Sequence, residues 1–307
     1  MATAAFTAAA STAQAAGSGM FVTMRNLNGF WVPGAPPWNV EWPEWVSVAA
    51  GAGYGGVDGL PYASMARDGP EKVRAKLAEL KLRVGFLGFP VAIAGTDETV
   101  FKNSLKRLDE VAEFAAAIGC PRLMTAVLSS SDIAKDEWRK VVLDRMHAVS
   151  PILEKHKVRV AIENLAPLHF RQRMKYQFLY TLPEIVELCK DGGPSWGLCL
   201  DAWHWHHSGG TVKDIIDAGK QQVIVVHIED SKKNKPEDVK DSERLMAGEG
   251  VIDLMGFLKA LKQIGYDGHL SPEPLSRFAL GTSADEVAKK TLESTIAVMK
   301  KAGIEPA

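Results

Sequence analysis

The chain has 307 residues, 46% hydrophobic and 24% charged, with a formal net charge of −1. Such a composition supplies a sizeable core, and the near-neutral balance offers no broad basic field for a phosphate backbone, so nucleic acid is not an expected partner. Three scattered cysteines, Cys120, Cys189 and Cys199, are too few for a disulfide framework, and no apolar run reaches the roughly 20 residues of a membrane helix.

The chain opens with MATAAFTAAASTAQAAGSG, almost all small residues and without charge. Ala13-Gln14-Ala15 fits a signal-peptide cleavage site, but a basic leader and a proper apolar stretch are missing. Residues 1–19 therefore read as a flexible Ala-rich tail or a signal-peptide remnant, and 20–307 as a single catalytic domain. The expected location is cytoplasmic. The alternative is periplasmic, if the native N-terminus extends upstream as an export signal.

From Met20 onward strand-like and helix-like segments alternate. MFVTMRNL is a strand, EWPEWVSVAAGAGY a helix and GGVDGL a short strand. EKVRAKLAELK is helical, LRVGFLGFPVA a strand, and VFKNSLKRLDEVAEFAAAIG one long helix with apolar steps of three and four. PRLMTAVL, VRVAIENL, SWGLCLDAW, VIVVHIED and HLSPEPL are the later strands. The helices DEWRKVVLDRMHAVSPILEKH, TLPEIVELCKD, TVKDIIDAGK, LMGFLKALKQIGY and ADEVAKKTLESTIAVMKKAG follow them in turn. Eight strand–helix units predict an α/β fold with a parallel sheet inside a ring of helices, a (β/α)8 TIM barrel. The rival open sheet lacks a glycine-rich phosphate loop after the first strand.

Active sites of such barrels lie at the C-terminal strand ends. Four consecutive strands end in ionisable residues: Glu163 in AIEN, Asp201 in LCLD, His227 in VVHIED and Glu273 in SPEP. Alternation along a strand lets Glu163, Asp201 and His227 point inward together. Converging carboxylates repel one another unless a cation sits among them, and mixed oxygen and nitrogen donors suit a divalent metal without selecting one.

AIEN at 161–164, LDAWH at 200–204, VVHIED at 225–230, GEGVID at 248–253 and GYDGHLSPE at 265–273 together resemble the sugar phosphate isomerase/epimerase family, the xylose isomerase-like TIM barrels. The resemblance covers about residues 20–303. It implies one divalent metal held by Glu163, Asp201, His227 and Glu273, with Mn2+ first and Mg2+, Co2+, Fe2+ or Zn2+ as alternatives. It also implies a small-molecule carbohydrate substrate and an isomerase or epimerase. Such an enzyme takes a proton from the carbon beside a carbonyl and passes through an enediolate, with Glu163 and Glu273 doubling as acid–base groups. The alternatives are a lyase that cleaves 3-keto-glycosides by β-elimination and an inosose-type dehydratase. Homo-oligomerisation is left open.

Two departures bear on the substrate. His169 stands where ketose 3-epimerases carry a glutamate, and Lys233 where they carry an arginine; His169 becomes a candidate acid–base group. His204, in the family's D-x-x-H arrangement, is a candidate substrate contact. Further candidates are Arg171 in the basic loop after strand five, Asp58 at the end of strand two and Arg277 after Glu273. Trp31, with Phe30 and Trp38 in the aromatic first loop, is a candidate cover for the mouth.

Overall fold

The computed structural model describes residues 19–34, 38–95 and 97–307. The tail assigned to residues 1–19 lies outside them, apart from Gly19. Eight parallel strand positions follow in chain order: β1 (Phe21–Met24), β2 (Gly56–Val57), β3 in two pieces (Arg83–Val84 and Leu87–Gly88), β4 (Arg122–Val127), β5 (Arg159–Asn164), β6 (Trp196–Asp201), β7 (Val223–Ile228) and β8 (His269–Pro272). The main helices on the outside are α1 (Trp42–Ala52), α2 (Pro70–Glu79), α3 (Leu108–Ala117), α4 (Lys135–His156), α5 (Leu182–Gly192), α6 (Val212–Ala218), α7 (Leu254–Gln263) and α8 (Ala284–Lys301).

The sheet closes because β8 pairs with β1. The interrupted β3 still bridges its neighbours: the Gly85 N–H donates to Val57 C=O, the Gly59 N–H to Phe86 C=O, and Leu87–Gly88 pairs with β4. The expected (β/α)8 barrel is therefore present. Two predicted elements are broken in two, and the strand expected over 82–92 is the interrupted β3. The helix predicted over 100–119 is two helices, Glu98–Leu105 and α3. Ser104 accounts for the break: its hydroxyl donates to Phe101 C=O and accepts from the Ala92 N–H, fastening the first piece to the loop after β3.

Helices and strands meet in one large apolar layer. On α8, Val287, Ala288, Thr291, Leu292, Thr295, Val298 and Met299 are buried, at the steps of three and four that make one helical face. All six residues of β7 are buried, as expected for a parallel strand covered on both sides. A second, small apolar cluster of Phe86, Ala161, Cys199, Ile224 and Val225 fills the barrel interior. It forms the floor beneath the strand-end residues.

Candidate metal centre

Register and alternation together set the centre. Glu163 is level with Cys199, Asp201 with His227, and His227 with Ser271. Cys199 and Asp201 both point inward, being two residues apart, as do Ser271 and Glu273. The stagger of a closed barrel therefore carries the donors up from strand to strand around the mouth. Donor atoms of Glu163, Asp201, His227 and Glu273 all lie within 4.8 Å of one another, and all four residues are buried. His227 Nδ1 faces the three carboxylates at 2.8 Å from Glu163, 3.3 Å from Glu273 and 3.5 Å from Asp201. Phe86 packs against the His227 ring from the floor, at 5.9 Å between centroids. Three oxygen donors and one nitrogen in a buried cup fit one divalent cation.

Two arginines that sequence reasoning missed enter the same cup. Arg244 is buried and sits 2.8 Å from Asp201 Oδ2, 3.1 Å from Glu273 Oε2 and 3.6 Å from Glu229 Oε2. Arg25, just past β1, lies 2.9 Å from Glu273 Oε1. Burial pushes the Glu273 carboxyl up, but Arg25 and then Arg244 outweigh it and hold that carboxyl far below the ordinary range. Asp201 follows the same logic, with Arg244 as the main opposing charge. Glu229 goes the other way. Burial first, then the Asp201 charge, raise it well above the ordinary range, while its Oε1 accepts the Trp203 N–H at 2.8 Å. Two guanidinium groups facing three metal-side carboxylates leave negative charge for a cation to balance.

Arg25 had a legible signal, because it occupies the strand-end level that exposed the four donors. Arg244 had none. Its segment, KDSERLMAGEG, reads as a solvated loop. It is buried because Asp230 and Leu245 pair backbone to backbone, at 2.9 and 2.8 Å, and turn the segment over the mouth. The Asp230 carboxylate also accepts the N–H groups of Gly248, Gly250 and Ile252, which explains GEGVID. Gly248 has φ +89°, and a Cβ on Gly250 would lie 2.2 Å from Ser231 O.

The remaining predicted residues divide. His204 joins the centre: fully buried, its Nδ1 accepts the Ala166 N–H at 3.2 Å. A backbone N–H can only donate, so the proton of neutral His204 belongs on Nε2. That atom lies 3.1 Å from an Arg244 nitrogen. Two donors thus face each other, an arrangement suited to a shared oxygen acceptor. Asp58 is buried inside the barrel, hydrogen-bonded by Thr23, rather than presented at the surface; burial raises its carboxyl above the ordinary range. The structure does not bring the others into the cup. His169 is exposed on the short helix Leu168–Arg171, stacked 4.2 Å from Phe170. Arg171 lies over the Tyr180 ring at 4.4 Å. Trp31 donates its indole N–H to Thr282 C=O at 3.0 Å, Phe30 is buried, and Trp38 packs on Trp45. Arg277 makes a two-pronged ion pair with Glu249, at 2.8 and 3.1 Å, because the GEG turn places that carboxylate beside it.

The family described as xylose isomerase-like TIM barrel matches residues 46–300. The chain belongs to that family. It is 26% identical over 206 residues to an inosose isomerase of Halalkalibacterium halodurans, covering 67% of this chain and 71% of that protein. A xylose isomerase domain protein from Alicyclobacillus acidocaldarius superposes with a TM-score of 0.80 at 25% identity, over 92% of this chain and 99% of that one. The IOLI protein, solved with a bound zinc atom, has the same fold: TM-score 0.76 at 18% identity, over 92% and 99% of the two chains. Among the described residues no helix is long and apolar enough to cross a membrane.

Proposed function

We propose that this xylose isomerase-like protein is a metal-dependent isomerase or epimerase of a carbonyl sugar or cyclic keto-polyol. The observation that carries the reading is the buried cup in which Glu163 and Glu273 flank His227 Nδ1 at the barrel mouth. A divalent cation on Glu163, Asp201, His227 and Glu273, Mn2+ first among the candidates, would supply charge stabilisation for a carbonyl oxygen gaining negative charge.

The two glutamates are not equivalent. Glu273 is hydrogen-bonded to Arg244 and ion-paired with Arg25, so it is a poor base. Glu163 contacts His227 and the Cys199 thiol, and among the described residues no guanidinium hydrogen-bonds it. Glu163 is therefore the residue that takes the α-proton, passing the substrate to an enediolate. Glu163, once protonated, returns a proton to the enediolate, while Glu273 stays ionised between Arg25 and Arg244 on the other side of His227 Nδ1. His204 Nε2–H and Arg244 hold a substrate oxygen between them. Elimination from a keto-glycoside would call for a further acid–base group, His169, and for the aromatic first loop to hold the aglycone. His169 outside the cup and Trp31 tied to Thr282 favour proton transfer without loss of a leaving group.

The inosose isomerase relatives make an inosose the first substrate to try, with a free ketose second. The test is incubation of metal-loaded protein with each in heavy water. Deuterium in the recovered sugar, with formation of an isomer, is expected. No exchange in either substrate, or release of an aglycone from a 3-keto-glucoside in its place, overturns the assignment.

A further inference from the structure

Beside the metal centre, a cavity of about 570 Å3 opens between the loops that follow β5, β6 and β7. Its basic lining residues are Arg171, His206, His207, Lys232 and Lys233, with the Asn234 amide beside them, and among the described residues no carboxylate lines it. The cations are poorly compensated. Among the described residues Arg171 and Lys233 make no ion pair, and Lys232 reaches a carboxylate only at 3.9 Å, on Glu243. Among the described residues the buried Arg171 Nε has no hydrogen-bond partner, while its guanidinium carbon lies 4.4 Å over the Tyr180 ring.

The cavity is distinct from the metal centre, and one indole separates them. Trp203 packs edge-on against His207 at 4.5 Å on one side; on the other, the Arg244 guanidinium lies 4.8 Å over its ring. Positive charge gathered with little counter-charge in a concave site of this size is an arrangement for an anion. Guanidinium and ammonium donors converging there match phosphate or carboxylate oxygens.

We propose that this cavity binds the phosphate or carboxylate group of a small anionic molecule, with Arg171 and Lys233 as its principal contacts. His207 is a neutral partner: burial holds its imidazole down to about 3, so at neutral pH it is uncharged, and its Nε2 lies 2.9 Å from Ser231 Oγ beside the two cations. The proposal does not depend on the reaction assigned to the metal centre.

The test is calorimetric titration of the full chain with inorganic phosphate at low ionic strength and neutral pH. Wild-type protein is expected to bind one phosphate. The double variant Arg171→Gln/Lys233→Gln is expected to weaken it at least tenfold. Lys235→Gln removes a charge from the same loop outside the cavity lining and is expected to leave the affinity unchanged. Absence of binding to wild type, retained affinity in the double variant, or an equal loss in Lys235→Gln each overturns the proposal. A parallel titration with fructose 6-phosphate separates the two sources of the anion. A tenfold gain over phosphate that a chelator abolishes assigns it to a molecule spanning both sites; equal affinity assigns it to a separate small anion. The double variant must lose binding in either case.

Discussion

Glu163 and Glu273 are the same residue type in mirrored positions, yet their partners assign them different work. Replacing Glu163 by Gln removes the better base, and solvent exchange into substrate should fall by about 10²-fold or more. A deuterium wash-in assay checks this, with metal content measured alongside to separate lost base from lost ligand. If Glu163→Gln keeps both its metal and its exchange rate, the assignment of the base is wrong. Arg244 offers a second test. It is buried against Asp201, Glu273 and Glu229. Burial alone would lower its guanidinium, but those carboxylates raise it well above the ordinary range. Arg244→Met leaves buried carboxylates uncompensated, which should cost about 3–5 kcal/mol in metal-free protein. Divalent metal supplies the missing charge, so thermal melts with and without Mn2+ should show a larger metal-induced rise in Tm for the variant than for wild type.

At the scale of elements, strand ends and the long loops that follow them carry the site between well-anchored helices. α5 and α6 begin with capping boxes, Thr181 with Glu184 and Thr211 with Asp214. α7 begins at Asp253, whose carboxylate accepts the Gly256 N–H. Asp230 plays the corresponding part for the loop between β7 and α7, by gathering three backbone N–H groups. Asp230→Ala should destabilise the protein by about 2 kcal/mol or more, since several charge-assisted hydrogen bonds are lost in a buried place. It should also release Arg244 from the cup. Urea unfolding measures the first effect. Limited proteolysis between residues 232 and 250 measures the second, and a wild-type cleavage pattern would count against the anchoring role. Gly250→Ala should act in the same direction, because its Cβ would meet Ser231 O and Asp230 Oδ1.

For the molecule as a whole, a buried histidine sets a pH limit. His269 is fully buried between Phe21 and Phe86, and among the described residues neither ring nitrogen has a partner. Burial first, then Arg122 and His227, hold its pKa well below the ordinary value. The sign follows from proton uptake. Below about pH 6.5 the unfolded chain binds a proton at this residue that the folded chain refuses. Stability is therefore at its full value above that pH and declines as pH falls. The slope is up to about 1.4 kcal/mol per pH unit for one such group. His269→Phe keeps a ring of similar shape. It should hold stability at pH 8 and flatten the decline between pH 6.5 and 5, as read from denaturant midpoints. An unchanged slope would show that His269 does not set the limit.

The eight strand–helix units and the four strand-end donors were legible in the sequence because both are periodic. Alternation of apolar and polar residues is a local consequence of strand and helix geometry, and in a closed barrel it fixes which side chains face the axis. Arg244, Glu229 and the fates of Trp31, Arg171 and Arg277 were not legible, because no local period governs them. Arg244 reaches the cup only through the bridge between Asp230 and Leu245, and Arg277 is drawn aside only because Glu249 lies beside it in space. Sequence alone determined the barrel and the inward-facing donor set. Tertiary structure decided which charges neutralise those donors and which of the two glutamates hydrogen-bonds an arginine. Such pairings arise from contacts between residues distant in the chain, and electrostatic energy follows distance in space rather than separation along the sequence.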